Sequence, residues 1–300
     1  MKPKASLPAR ALALARHWLR LQPRVVIPAK AQRAPKILRH IKRTGLGVEI
    51  GPSYGPLAPK REGFQVHVID HLDRAGLVEK YRSHGMPVDQ IEEVDFVWRG
   101  ESYAELTGHR QHYDWIIASH LIEHTPDLIG FLLNCAEILK DDGVLSLAIP
   151  DARYCFDHFR SPSSVASAID AHLARRVRPS PGIVAEHHLS AVAQAGRIAW
   201  SARDRGVYSF VHTHAEARAT MEKARDTEAY LDVHVWCFTP HSFRLMIQDL
   251  YELGLQPFRE CSFFPTAGCE FYVTLGRQGS GTGLDRMALL KKARREFAAA

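Results

Sequence analysis

The chain has no apolar run near the roughly 18 residues that a membrane-spanning helix needs. Its five cysteines are odd in number and form no C-x-x-C pair, so neither a disulfide framework nor a structural zinc site is expected. These absences predict a protein of the reducing cytoplasm. The composition, with 46% apolar and 24% charged residues among 300, is that of one large α/β domain or a domain with an insertion.

Acidic residues are absent from the first 48 positions, which hold 12 Lys and Arg. Because the formal net charge of the whole chain is +6, the remaining residues sum to −6 (+6 − 12). The body of the protein is therefore mildly acidic. A general basic surface is lacking, so no nucleic-acid partner is expected.

Residues 1–44 are predicted to be a basic, amphipathic, helical N-terminal segment. Leu7, Leu14 and Trp18 share one face of a helix, and Arg10 and Arg20 lie on the other. Residues 1–24 suit peripheral contact with an anionic inner membrane face or with a protein partner. An Arg-rich targeting presequence and a helix packed on the domain are the alternatives that stay open.

Strands alternate with helices along residues 45–150, which predicts a doubly wound parallel sheet. The helix after the fourth strand is expected to start with Thr125 as its N-cap and Pro126 as its first residue, and a turn at 141–143 is expected to end it. A last antiparallel strand pair is expected after the helix that begins at Thr239. The predicted strands are 46–50, 65–70, 92–97, 113–119, 144–149, 256–264 and 269–276.

The alternation stops at Pro150 and resumes near residue 239. We therefore predict a domain over 45–276 with an insertion at 151–235, followed by a linker and a C-terminal helix over 277–300. The insertion holds seven of the 17 histidines. It is interpreted as a lid over the acceptor, with a packing or dimerisation element as the alternative.

The first strand leads into a glycine-containing turn at Gly51 and Gly55, and the second strand ends in Asp70. Small residues let a backbone approach a ligand closely, and an acid at the next strand tip accepts hydrogen bonds from ribose hydroxyls. Glu49 can hold an ammonium group beside the turn. The full G-x-G-x-x-G fingerprint is absent, which disfavours NAD.

These residues resemble the class I S-adenosylmethionine-dependent methyltransferases, specifically the type-11-like group. The resemblance covers residues 45–150 and 239–276 and implies a Rossmann-like seven-stranded sheet, mostly parallel with an antiparallel last strand, plus a helical insertion. Ser53 replaces the middle glycine of the first motif, and residues 139–143 lack the proline and first glycine of the fifth-strand turn. The cofactor residues that the resemblance implies are Glu49, Gly51, Ser53, Gly55, Asp70, Asp95, Phe96 and Ser119.

A narrower resemblance points to bacterial methyltransferases associated with glycosyltransferases and surface polysaccharide synthesis. It is carried by residues 118–130, 148–154 and 232–239. It implies an acceptor hydroxyl on a sugar or glycan precursor.

Histidine at neutral pH is suited to remove the proton of such a hydroxyl. The acceptor lies near the tips of the fourth and fifth strands in this fold, which nominates His120, His124 and Asp151 as catalytic residues. Three insertion histidines could close over the site: His187, His188 and His234. Each histidine can alternatively be a surface or structural residue, and His120 is favoured because it lies nearest a strand tip.

Two other patterns are weighed and set aside. Residues 51–55 match the G-x-S-x-G nucleophile elbow of serine hydrolases, but Pro56 and Pro59 exclude the helix that must follow the serine. His120-x-x-Glu123-His124 matches a zinc-protease pattern that needs a helix and a third ligand, and here it directly follows a strand. No metal is therefore expected.

A rival class is a catalytically inactive binding module with a methyltransferase fold, held at a membrane through residues 1–24. Ser53 in place of glycine is the departure that leaves this alternative open.

Overall fold

The computed structural model describes residues 30–83 and 85–298. The amphipathic helix predicted over residues 1–24 lies outside them and remains a prediction. Within the described ranges, no helix has both the length and the apolar character needed to cross a bilayer.

The domain is built on a seven-stranded sheet, with a separate two-stranded sheet in the insertion. The strands are β1 (Leu46–Ile50), β2 (Gln65–Asp70), β3 (Phe96–Val97), β4 (Tyr113–Ser119), β5 (Leu139–Pro150), β6 (Val192–Gln194), β7 (Tyr208–Phe210), β8 (Arg259–Ala267) and β9 (Glu270–Gly276). The large sheet has the order β3-β2-β1-β4-β5-β9-β8. β1 to β5 are mutually parallel, and β9 is antiparallel to both β5 and β8. This confirms the predicted doubly wound, mostly parallel α/β sheet.

Helices cover both faces of this sheet. They are α1 (Lys30–Ile37), α2 (Arg74–Ser83), α3 (Tyr103–Thr107), α4 (Leu128–Ile138), α5 (Val165–Leu173), α6 (Pro181–Ser190), α7 (His214–Asp226), α8 (Pro240–Glu252) and α9 (Arg286–Ala298). Short 3-10 turns cover Lys60–Glu62, Ile122–His124 and Ala152–Tyr154.

The central strands are buried on both faces because successive side chains point to opposite sides. In β4, Ile116 and Ala118 join one hydrophobic cluster, and Trp115 and Ile117 join the other. A Cβ at Gly47 would lie 2.0 Å from the Trp115 ring, so the neighbouring strand β1 accepts only glycine there.

The strand ends at Asp70, Ser119 and Pro150 share one edge of the sheet, as parallel strands require, and we call it the carboxyl edge. Glu270 begins β9 opposite Pro150, so the antiparallel strand also places its first residue at this edge.

The predicted start of α4 is wrong by two residues. Asp127 is the N-cap, and its carboxylate accepts a hydrogen bond from Gly130 N at 2.8 Å. The Thr125 hydroxyl donates instead to the Ile122 carbonyl at 2.8 Å, so it is not available to cap the helix.

Other predicted boundaries also change. β5 begins at Leu139 and runs through residues 141–143, so the predicted turn is an irregular part of the strand, and its pairing with β4 shifts register after Tyr113. β3 contains only Phe96–Val97. Glu92 lies outside this strand, and its carboxylate accepts a hydrogen bond from Lys60 N at 2.9 Å. β8 is Arg259–Ala267 rather than 256–264, and the C-terminal helix begins at Arg286.

The insertion at 151–235 holds three helices, α5, α6 and α7, together with the antiparallel pair β6–β7. Val184, Ala224 and Val233 form a small buried cluster within it. The end of the insertion returns to the carboxyl edge.

Candidate functional site

The loop after β1 has a backbone path suited to glycine. Gly51 has φ +63° and Ser53 has φ +51°, in the left-handed region. An L-residue there costs roughly 1–2 kcal/mol that glycine does not. The Ser53 hydroxyl accepts a hydrogen bond from Tyr81 OH at 2.8 Å, which offsets part of this cost. Ser53 therefore has the backbone conformation that a glycine would adopt. No helix follows it between residues 54 and 59, in agreement with setting the hydrolase aside.

We expect Ser53→Gly to change the free energy of unfolding by less than about 1 kcal/mol, because relief of the strained φ offsets the lost Tyr81 bond and the greater freedom of the unfolded chain. Ser53→Ala keeps the strain and loses the bond, so it should destabilise by about 1 kcal/mol. Chemical denaturation of both variants measures this difference. A more than tenfold loss of S-adenosylhomocysteine affinity in Ser53→Gly would contradict a purely local role for the hydroxyl.

Asp70 lies beside this loop and is buried. Its Oδ2 accepts from Ser53 N at 3.3 Å, and its Oδ1 accepts from His71 N at 2.8 Å and lies 2.6 Å from His71 Nδ1. A carboxylate has about four acceptor positions. One is left by these contacts, and the His71 side chain, 47% exposed, can be displaced from another. Asp70 can thus accept two ribose hydroxyls.

Glu49 holds the end of the loop through its carboxylate. Its carboxylate is buried and accepts from Leu57 N at 2.7 Å and from Ala58 N at 3.0 Å. These bonds fix the chain after Gly55, where an added Cβ would meet nothing within 4 Å. The structure therefore gives Glu49 a loop-holding role besides the predicted contact with an ammonium group.

Asp95 and Phe96 lie just before Val97, the residue that ends β3 at the carboxyl edge opposite Asp70. Asp95 Oδ2 accepts from Val68 N at 2.7 Å and pairs with Lys60 Nζ at 2.6 Å. The Phe96 ring contacts the His67 ring, with centroids 5.4 Å apart. The structure does not bring these two predicted residues to the Asp70 side chain.

Trp98 stands at the end of β3 instead. Its backbone N donates to the Asp70 carbonyl at 2.8 Å, and its side chain is exposed. An exposed aromatic side chain thus follows β3 beside Asp70, two residues beyond the Phe96 that the sequence nominated.

The tip of β4 carries a network of charged groups around Glu270, whose side chain is fully buried. Arg33 of α1 donates to both Glu270 oxygens, from Nε at 2.7 Å and Nη2 at 3.1 Å, and also to the Ser119 hydroxyl. Tyr272 OH donates to Glu270 Oε1 at 2.6 Å. His120 Nε2 lies 2.7 Å from Glu270 Oε2. The network joins α1, β4 and β9.

This network fixes the ionisation of Glu270. Burial alone would raise the pKa of its carboxyl, but His120 and Arg33 outweigh burial and hold the pKa below its usual range. Glu270 is therefore a carboxylate at neutral pH, and the His120 ring presents its Nε2 proton to it. Nδ1 is then the atom of His120 that can take a proton. The φ of His120 is +51°, an uncommon conformation that the surrounding contacts hold in place.

A second group of titratable side chains follows in the next turn, and we call it the Glu123 cluster: Glu123, His124 and His234. Glu123 is fully buried, and His124 Nε2 and His234 Nε2 lie 3.9 Å and 4.0 Å from its Oε1. Asp157 Oδ2 lies 2.5 Å from His234 Nδ1. Asp232 Oδ1 lies 2.8 Å from His124 Nδ1, at an angle outside ordinary hydrogen-bond geometry, so this is an ion-pair contact.

The acids behind these histidines are ionised. His124 lowers the pKa of Asp232 to about 2, against the effect of burial. Burial would raise the pKa of Asp157, but His234 and Arg160 outweigh it and lower that pKa. Burial also opposes a charge on His124, whose pKa is nevertheless raised by Asp232 and Glu123.

The segment 230–236 straps the insertion to this turn, and we call it the strap. Val235 N and Trp236 N donate to the Glu123 carbonyl at 2.7 Å and 3.0 Å. Tyr230 OH donates to the His124 carbonyl at 2.9 Å, and Trp236 Nε1 donates to the Thr125 carbonyl at 2.6 Å. The strap therefore sets the position of His234.

Asp151 is separate from both groups. Its carboxylate is fully buried, pairs with Arg153 at 2.6 Å and accepts from the Thr266 hydroxyl at 2.5 Å. These contacts make it an N-cap and ion-pair residue rather than a base that is free to act.

The other two insertion histidines that the sequence nominated are His187 and His188. Burial lowers the pKa of His187 to about 3, and its ring centroid is 6.1 Å from that of His234. His188 contacts the Val184 carbonyl through Nδ1 at 2.8 Å. The structure therefore brings His120, His124 and His234 to the carboxyl edge and leaves His187 and His188 in the insertion.

Sequence reasoning missed Arg33, Glu270 and Tyr272. Arg33 lies in the basic lead-in, and the other two lie in the last strand, so no local motif marks them. Glu123 was within a quoted motif, and an acid that follows two apolar residues and lies between two histidines was the signal that could have singled it out.

A cavity of about 250 Å³ lies elsewhere, between α8, β8 and residues 280–284. It is lined by the buried pair Arg244–Glu260, whose side chains meet at 2.6 Å and tie α8 to β8. It contains none of the predicted site residues.

A Rossmann-like sheet of this strand order, with an acid beside a glycine-type turn, defines a class I S-adenosylmethionine-dependent methyltransferase. The sequence matches the family described as "Methyltransferase domain" over residues 22–249, and the chain belongs to that family. Its cofactor is S-adenosylmethionine. No curated protein matches the sequence.

Several solved structures are similar. An S-adenosylmethionine-dependent methyltransferase from Aquifex aeolicus is 11% identical, over 90% of this chain and 98% of that one, with TM-score 0.41. A 1,6-didemethyltoxoflavin-N1-methyltransferase from Burkholderia thailandensis is 12% identical, over 93% and 94%, with TM-score 0.41. The DhpI-SAM-HEP complex is 16% identical, over 91% and 99%, with TM-score 0.40.

Proposed function

We propose that this methyltransferase moves the methyl group to a hydroxyl of a sugar or glycan precursor, with His120 as the general base. The observation that carries the proposal is the contact of His120 Nε2 with the buried Glu270 carboxylate at 2.7 Å. A carboxylate behind a histidine orients the ring and stabilises its charged form after it takes a proton.

The residues present fit the cofactor. The left-handed backbone at Gly51 and Ser53 lets the chain pass close to a ligand, and Asp70 keeps acceptor positions for two hydroxyls. Trp98 offers an apolar surface at the adenine end of the same edge. When bound, S-adenosylmethionine supplies a methyl group on a positively charged sulfur.

The chain's own residues would align the acceptor and take its proton. His120 Nδ1 accepts the proton of the hydroxyl as the oxygen forms its bond to the methyl carbon. The cofactor, held by the loop at Gly51 and Ser53 and by Asp70, would supply that carbon and would keep the electron pair of its carbon–sulfur bond. Glu270, held by Arg33 and Tyr272, stabilises the imidazolium that results. The strap packs on the turn that follows His120 and would help exclude water.

The polarity of the acceptor side supports a sugar. His120, His124 and Asp232 are 24%, 29% and 69% exposed there, and all can exchange hydrogen bonds with hydroxyls. A polyhydroxylated acceptor needs such groups, whereas an aromatic acceptor needs an apolar pocket. The narrower sequence resemblance over 118–130, 148–154 and 232–239 points the same way.

The test is methyl transfer from methyl-labelled S-adenosylmethionine to a panel of monosaccharides, nucleotide sugars and oligosaccharides. We expect label in a product that resists mild alkali, as an ether does and an ester does not. Transfer to amines or carboxylates alone would contradict a hydroxyl acceptor.

The same assay separates the rival class. S-adenosylhomocysteine binding in calorimetry, together with no transfer to any acceptor, would favour a binding module. Peripheral membrane contact through residues 1–24 is a separate proposal. Deletion of those residues should abolish co-sedimentation with anionic vesicles, and unchanged sedimentation would reject it.

A further inference from the structure

The Glu123 carboxylate is in an unusual position. Its side chain has no exposed surface, and neither oxygen has a hydrogen-bond partner within the described part of the chain. A buried carboxylate without hydrogen bonds is costly, so such a group needs a compensating positive charge.

Three histidine rings present nitrogen atoms to it: His120 Nδ1 lies 3.6 Å from Oε1, and the Nε2 atoms of His124 and His234 lie 3.9 Å and 4.0 Å from it. Because Asp157 accepts from His234 Nδ1, the neutral ring of His234 carries its proton there and directs the Nε2 lone pair toward Glu123. Asp232 occupies the same side of His124, whose Nε2 also faces Glu123. The Nε2 atoms of His124 and His234 and a carboxylate thus converge on one place.

We propose that Glu123, His124 and His234 bind one divalent transition-metal ion of the zinc type. One ligand atom from each of the three residues lies within 4.8 Å of the others. Ligands around a zinc ion with bonds of about 2.0–2.1 Å stand roughly 3.4 Å apart, so the two distances to Glu123 Oε1 would shorten by roughly half an ångström and the distance between the two histidine atoms by at most about 1.4 Å.

The donor set selects the class of metal. Two imidazoles with one carboxylate match catalytic zinc sites that keep a further position open, and imidazole favours transition metals over Mg²⁺ or Ca²⁺. Carboxylates behind the second ring nitrogen are the usual support of metal-binding histidines, and Asp157 and Asp232 supply them. His124, 29% exposed, gives the ion a route from solvent.

The sequence argued against a metal partly because the motif has no third ligand, and the structure supplies one. His120-x-x-Glu123-His124 lacks a helix and, by itself, a third group. The strap supplies His234 from 110 residues beyond His124. His120 Nδ1 is 3.6 Å from Glu123 Oε1 but is not among the three mutually close ligands, so it stays available as the base.

A role of the ion in the reaction rests on the proposed function. A hydroxyl that binds to such an ion loses its proton more readily, which would assist transfer of that proton to His120. Metal binding itself does not depend on this role.

The test uses the full chain, stripped of metal with a chelator and dialysed against Zn²⁺. We expect one Zn²⁺ per chain, at least about 100-fold weaker binding in Glu123→Gln and His234→Gln, and a Zn²⁺-dependent rise in Tm that both variants lose. His241→Gln is the matched control, because His241 also pairs with a carboxylate, Glu296 at 2.5 Å, outside the cluster. It should bind Zn²⁺ as the natural chain does.

Absence of saturable Zn²⁺ binding, or one equivalent retained in both variants, would overturn the site. If a proton on a histidine compensates the charge of Glu123 instead, no saturable Zn²⁺ binding is expected. Glu123→Gln should be no less stable than the natural metal-free chain, because it removes an unpaired buried charge.

Separate readouts keep the two proposals apart. S-adenosylhomocysteine affinity of the metal-free chain should stay within about twofold, because the cofactor loop is held by other residues. Zn²⁺ binding without S-adenosylhomocysteine binding would reject the proposed function and leave the metal site standing. Methyl transfer that is unchanged by chelation would reject a role of the ion in transfer.

Discussion

His120→Asn should lower kcat for methyl transfer by about 10²–10⁴-fold and leave S-adenosylhomocysteine affinity within about twofold. Loss of a positioned general base lowers kcat by a factor within this range. Asn is the informative replacement because, like His, it tolerates the left-handed backbone at φ +51°, so the loop keeps its path. Its amide cannot take a proton at neutral pH.

The control is His214→Gln, which changes an exposed histidine at the start of α7. Its kcat should match that of the natural chain. If His120 only positions Glu270, the loss in His120→Asn should appear in Tm and in cofactor affinity as well as in kcat. A fall in kcat of less than tenfold would reject His120 as the base.

Asp70→Ala should weaken S-adenosylhomocysteine binding by about 100-fold or more. Hydrogen bonds to a charged group contribute about 1.5–3 kcal/mol each, and each 1.4 kcal/mol is tenfold in affinity. The variant removes both hydroxyl acceptors of the ribose position. Calorimetry measures the dissociation constant, and Asp89→Ala, an exposed acid before β3, is the charge-matched control.

An analogue without ribose hydroxyls isolates this contact from collapse of the loop. The natural chain should lose affinity for the analogue, whereas Asp70→Ala should bind the analogue and the parent compound alike. Because Asp70 also holds Ser53 N, a loop effect would weaken both ligands equally. Undiminished discrimination in Asp70→Ala would place the hydroxyl contact elsewhere.

The parallel sheet could be predicted because its strands are short apolar runs that alternate with helices, a pattern that local sequence carries. Boundaries were less accurate where a contact from afar decided them. Glu92 bonds to the backbone of Lys60, so β3 begins only at Phe96, and β4 pairing draws residues 139–143 into β5. Thr125 lost the N-cap position to Asp127 because its hydroxyl donates to Ile122.

The site divides in the same way. Gly51, Ser53 and Asp70 could be nominated because the glycine-containing loop and the next strand tip lie close together in sequence, and their contact with the cofactor stays a prediction. Asp151 was nominated by its place after β5, yet Arg153 and Thr266 engage its carboxylate.

The sequence by itself determined the α/β class and nominated the cofactor loop and the histidines after β4, since periodicity and short motifs are local. Only the tertiary structure decided which groups act together: Arg33 meets Glu270 across 237 positions of chain, His120 meets Glu270 across 150, and the strap brings His234 to Glu123. Long-range contacts arise from how elements pack, and no pattern within one element encodes its partner. The ionisation of a side chain depends on its partners and on its burial. The chemistry of these histidines could therefore be interpreted only after the structure showed which acids contact them.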